Sequence, residues 1–204
     1  MELFKYLISL LVIVDPIFAA VMVATLLPGE EEEIKRVAFK ASATVLVASF
    51  VTLLFGQGLL KIMGVNIYSI KIFGGLILLS MAFQMLQANP PKTKHTKREE
   101  EALQEKDEIA VIPIGIPILF GPGTFTTLLI FREEVQSASQ LAQLVAAVVL
   151  TVAVIYFTLE KASLLARKVG PTGIGVTVRV FGLFVGALGS QFVVEGVKHL
   201  WSAG

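Results

Sequence analysis

Val14-Asp15-Pro16-Ile17-Phe18 stands in the middle of an apolar run that extends from Tyr6 to Leu27. Proline removes a helix hydrogen bond, and a carboxylate at the centre of a bilayer costs about 2.5–3.5 kcal/mol on insertion scales. An intramembrane residue that expensive points to a functional site. A second apolar run is broken in the same manner at Gly121-Pro122-Gly123, 106 residues after Asp15. Two interrupted apolar segments at corresponding places in two halves of a chain point to a transporter site.

The composition agrees with a membrane setting. The 204 residues are 55% hydrophobic and 16% charged, where soluble domains carry about 25% charged residues. The net charge of +1 implies no nucleic-acid partner, and the absence of cysteine excludes disulfides, thiolate metal sites and thiol redox chemistry. His95 and His199 fall outside the apolar runs and build no metal centre. The first run is too long, and its flank too weakly basic, for a cleaved signal peptide.

About 20 apolar residues cross a bilayer as a helix. Six spans are predicted: Tyr6–Leu27, Ala41–Leu60, Ile67–Leu86, Ile109–Phe131, Leu141–Leu159 and Ile174–Val197. Ser42, Thr44, Ser49 and Thr52 give the second span small residues suited to close packing. Pro113, Pro117 and Pro122 break the fourth. Gly182 and Gly186 in the sixth have the spacing that brings helix backbones together, inside the molecule or in a homo-oligomer. The polar stretch 88–108 divides the chain into an N-terminal unit, 1–87, and a C-terminal unit, 109–204, and 97–106 is a candidate surface helix.

The two units carry traces of a repeat. Ser69-Ile70-Lys71-Ile72-Phe73-Gly74 matches Thr177-Val178-Arg179-Val180-Phe181-Gly182 in type at a spacing of 108. Three spans per unit is an odd number, so the second unit enters the membrane from the opposite side. The expected fold is an all-α integral membrane protein of six transmembrane helices, arranged as two inverted three-helix repeats with broken first and fourth helices. Basic residues favour the loops after spans one, three and five by eleven to four. That bias puts these loops in the cytoplasm and both termini outside.

Asp15 and Pro16 form the first candidate site. A carboxylate beside the carbonyl that Pro16 leaves unpaired suits a cation: a coupling proton, a sodium ion or an ammonium group. The same pair also reads as a helix break, with Asp15 as N-cap and Pro16 in the first turn. Gly121, Pro122, Gly123 and Thr124 form the second. There Pro122 opens a new helix, Thr124 is expected to cap it, and free N–H groups suit a carboxylate. A small zwitterion such as an amino acid fits between the two. Secondary candidates are Lys71 and Arg179, which pair with Asp15 or solute or else snorkel to the interface. Gln84 and Gln191 line the cavity or bond across helices, while Glu160 and Glu195 are expected to be solvated at span ends. No catalytic constellation, metal site or phosphate loop is present, so the chain is not expected to be an enzyme.

Asp15-Pro16, Leu119-Phe120-Gly121-Pro122-Gly123 and Arg179-Val180-Phe181-Gly182-Leu183, in this order and over nearly the whole chain, resemble the MarC family, the UPF0056 inner membrane proteins. The resemblance implies a six-span protein of the bacterial or archaeal cytoplasmic membrane and a role in neutral amino acid transport. The family pattern is Asp-Pro-x-Gly with a further Pro three residues on; here Phe18 and Val21 stand at those places. The first break is therefore less open, and Phe18 fills part of the pocket. The reading is a secondary transporter working by alternating access, with no cofactor beyond a coupling ion. A non-transporting membrane scaffold and a small-solute channel are the rivals.

Overall fold

The computed structural model describes residues 2–87 and 110–202, and all of their regular secondary structure is helical. The elements are α1 (Glu2–Val14), α2 (Pro16–Leu26), α3 (Glu31–Met63), α4 (Ile67–Leu86), a π-helical segment π1 (Ala110–Leu119), α5 (Pro122–Glu134), α6 (Ala138–Glu160) and α7 (Ala162–Ser202). The linker 88–108 and its candidate surface helix lie outside the described residues.

Local chemistry explains most boundaries. α1 stops where Asp15-Pro16 ends the hydrogen-bond ladder. α3 ends on Gly64, at φ 67°, whose N–H returns to the last turn, and Val65 N–H reaches the Leu60 carbonyl at 3.0 Å. The Asn66 side chain then caps α4 by accepting from Tyr68 N–H at 2.8 Å. Ser137 caps α6 in the same way. Gly170, at φ 64°, interrupts α7 and separates a short leading helix from the crossing part, Thr172–Ser202.

Among the described residues, five stretches are long and apolar enough to cross a membrane: Glu2–Leu26, Glu31–Met63, Ile67–Leu86, Ala138–Glu160 and Thr172–Ser202. The fourth predicted span, Ile109–Phe131, is instead two short pieces, π1 with 10 residues and α5 with 13. Phe39, Leu54, Phe55, Ile62, Phe73, Phe83, Phe157 and Phe184 are all exposed. An apolar exterior of this extent suits lipid rather than water.

Two buried clusters fill the interior. One joins α2, the first half of α3, π1 and the end of α6, with Val23, Ile34, Ala38, Leu119 and Leu159 fully enclosed. The other joins α1, the second half of α3, α4, α5, the first half of α6 and α7, around Tyr6, Leu78, Phe131 and Val185. Phe120 packs against both. The two chain breaks therefore fall where the clusters meet. α4 and α7 make the most extensive helix pair. There a Cβ on Gly75 would lie 2.6 Å from the Gly189 carbonyl, so these glycines let the two backbones touch.

Candidate functional site

The first break is built around an unusual backbone. Asp15 has φ 44° and ψ 69°, the left-handed region that Asp and Asn tolerate better than other side chains. This turn carries the Asp15 carboxylate over the start of α2, where Oδ1 accepts from Phe18 N–H at 3.1 Å. Pro16 occupies the first turn, as its missing N–H allows. Asp15 is 6% exposed, and no cation pairs with it among the described residues. Of the two sequence readings of this residue, the N-cap is visible here, on a carboxylate that is buried. Phe18 is half-buried.

The second break works differently. Gly121 is the N-cap of α5 in an ordinary extended conformation, φ −89°, and no side chain caps the helix. Thr124 was expected to cap it. Instead its hydroxyl donates backward to the Leu119 carbonyl at 3.1 Å, closing the loose end of π1. The first turn of α5 thereby keeps its free N–H groups. Gly123 is needed for space: a Cβ there would lie 2.9 Å from Leu78 Cδ2, 3.1 Å from the Met81 sulfur and 3.4 Å from Ile13 Cγ2. Ile13 belongs to the turn before Asp15, so the two breaks are packed against each other.

Between them lies a cavity of about 10 Å³, room for about one water. Leu10 and Val14 of α1, Val45 and Ser49 of α3, Thr124 and Leu128 of α5, and Val148, Thr151 and Val152 of α6 form its wall. Sequence reasoning marked Thr124 here and saw Ser49 only as a packing residue. It did not mark Thr151. An isolated threonine in an apolar helix carries no signal until its neighbours are known.

The secondary candidates lie elsewhere. Lys71 neither snorkels nor reaches Asp15. It is 7% exposed and holds Glu134 at 2.9 Å and Glu195 at 2.8 Å, tying α4 to α5 and α7. Lys5 reaches the other oxygen of Glu134 at 3.0 Å. Glu195, expected to be solvated, is therefore paired. The signal for this was Lys71 itself, since a buried ammonium needs a counter-charge. Arg179 is exposed and makes no ion pair among the described residues. Gln84 and Gln191 are exposed and bond along their own helices, Gln84 to Ser80 and Gln191 to Glu195. Neither lines the cavity.

Comparison with known proteins agrees with the motifs. The family described as MarC family integral membrane protein matches residues 1–201. The UPF0056 membrane protein of Aquifex aeolicus is 33% identical over 198 residues, covering 96% of this chain and 92% of that one. The UPF0056 membrane protein MJ0972 of Methanocaldococcus jannaschii is 30% identical over 197 residues, covering 96% and 86%. YhcE of Escherichia coli, also a UPF0056 membrane protein, is 26% identical over 199 residues, covering 97% and 93%. No solved structure matches the chain.

Proposed function

We propose, for a chain that belongs to the MarC family of integral membrane proteins, that it is a secondary carrier of small neutral amino acids. The observation that carries this reading is the meeting of two interrupted segments at one buried point, Ile13 against Gly123, beside a cavity bordered by both. One break offers a carboxylate and the Val12 carbonyl that Pro16 cannot bond. The other offers the uncapped start of α5. A zwitterion complements that pair of ends, its ammonium group at Asp15 and its carboxylate at Gly123 and Thr124. Pro16, Gly121 and Pro122 shape the two turns. A proton or a sodium ion at Asp15 is the coupling ion.

The cavity has room for about one water, so solute enters only when α1 and α5 separate. An inverted repeat supplies a way to separate them. The packing supports such a repeat. α1 and α2 both lie on α6, as π1 and α5 lie on α3; α2 meets α7, as α5 meets α4; α4 and α7 meet each other. Asp15 and Thr124 stand as isolated buried polar points at the two breaks, which favours a carrier over a channel. The loop charges favour a cytoplasmic membrane location with both termini outside.

Counterflow in proteoliposomes tests the reading, with purified protein, a panel of labelled neutral amino acids and Asp15→Asn as control. Accumulation of one class, lost in Asp15→Asn, is expected. No exchange across the panel by folded protein would instead assign the chain to a non-transporting scaffold or to another solute.

A further inference from the structure

Threonines inside helices ordinarily turn the hydroxyl back onto the carbonyl of the preceding turn. Thr25, Thr44, Thr52, Thr126 and Thr177 do so here, at 2.8–3.0 Å. Thr151 does not. The residue is 3% exposed, and its Oγ1 has no hydrogen-bond partner among the described residues. A buried hydroxyl left unpaired is destabilising. The hydroxyls of Ser42 and Thr127 are also unpaired, but of the three only Thr151 lines the cavity between the breaks. Across that cavity stand Ser49, on α3, and Thr124, in the first turn of α5.

We propose that Thr151 and Ser49, together with the uncapped start of α5, form a subsite for one carboxylate oxygen of the transported solute. The inference rests on the carrier reading above and extends the site to α3 and α6. The chemistry of the wall selects the ligand. Two hydroxyls can donate, and the positive end of the α5 dipole adds to them. Among the described residues no charged side chain borders the space, so none of them offsets a cation there. The cavity matches one water, whose place a carboxylate oxygen takes when the helices part.

The test is counterflow by the full chain in liposomes, with L-alanine as solute and ethylamine, its decarboxylated counterpart, as competitor. Thr151→Val keeps the shape and removes the hydroxyl. Loss of a hydrogen bond to a charged group is expected to raise the half-saturating L-alanine concentration about tenfold or more. Thr151→Ser, which keeps the hydroxyl, is expected to restore it. Ethylamine is expected to compete poorly.

Wild-type half-saturation in Thr151→Val overturns the subsite and leaves the carrier intact. Equal competition by ethylamine also overturns the subsite alone. No exchange of any amino acid by the wild type overturns both. The chain contains no cysteine, so Thr151→Cys supplies a second readout if the valine variant does not fold. L-alanine is expected to slow its modification by a small methanethiosulfonate reagent, and ethylamine is not. Equal rates with and without L-alanine overturn the subsite.

Discussion

Asp15 is held by two local effects that can be separated. The left-handed backbone disfavours most side chains by about 1–2 kcal/mol and is tolerated by Asp and Asn. The cap on Phe18 N–H contributes about 0.5–2 kcal/mol. Asp15→Asn retains both effects, so its apparent unfolding midpoint in detergent is expected to match the wild type. Asp15→Ala loses both and is expected to be less stable by about 1.5–3 kcal/mol. Asp15→Gly loses only the cap and is expected to fall between. If Asp15→Asn were as damaged as Asp15→Ala, the charge itself would be structural. It would then be useless as a transport control. The capping role of Asp15 was legible in the sequence because capping is a chemistry of adjacent residues. Thr124 was not legible in that way. Its hydroxyl turns backward only because π1 leaves the Leu119 carbonyl within reach, and nothing in Gly-Pro-Gly-Thr announces a π-helical approach.

The α4–α7 pair depends on absent side chains. The Cβ positions of Gly75 and Gly189 would each come within 3.0 Å of the opposite backbone, a contact that no rotamer change relieves. Gly75→Ala is expected to push the pair apart and destabilise the protein by about 1–3 kcal/mol. Gly58→Ala in α3 meets nothing within 4 Å and is expected to be neutral or stabilising by up to about 1 kcal/mol. Thermal unfolding of the two variants side by side checks the contrast. A Gly75→Ala protein as stable as Gly58→Ala would mean that the helices pack less closely than their glycines allow.

Gly182 and Gly186, whose spacing suggested close packing inside the molecule or in a homo-oligomer, lie against Ala82 of α4, and the third span, Ile67–Leu86, has the predicted bounds. Hydropathy placed the second helix less well. α3 starts at Glu31, ten residues before the expected Ala41. Its acidic first turn suits a helix N-terminus, while an apolar window sees only the part that crosses lipid. The helix ahead of Gly170 escaped notice for the same reason.

At the scale of the whole molecule, one end carries a set of polar ties between elements. Lys71 joins α4 to α5 and α7, and Lys5 joins α1 to α5. Leu3 N–H donates to Gln143 of α6, and Gln57 of α3 donates to Glu133 of α5. These five ties involve elements from all six predicted spans, and each joins the N-terminal unit to the C-terminal unit across a different pair of helices. A carrier built this way must break the tied end to open on that side. Removing Lys71 leaves Glu134 and Glu195 beside one another without their shared cation. Both are partly exposed, so the closed form is expected to lose about 1–3 kcal/mol, less than the 3–5 kcal/mol of a fully buried pair. Each 1.4 kcal/mol shifts a two-state population about tenfold. In a Thr151→Cys background, Lys71→Gln is therefore expected to speed modification by a membrane-impermeant thiol reagent, added from the side of the termini, about tenfold. Lys71→Arg, which keeps a cation between the two glutamates, is expected to stay near the wild-type rate. Unchanged labelling in Lys71→Gln would mean that the ion pairs stabilise the bundle without governing its opening, because a tie that limits access cannot be cut without raising it.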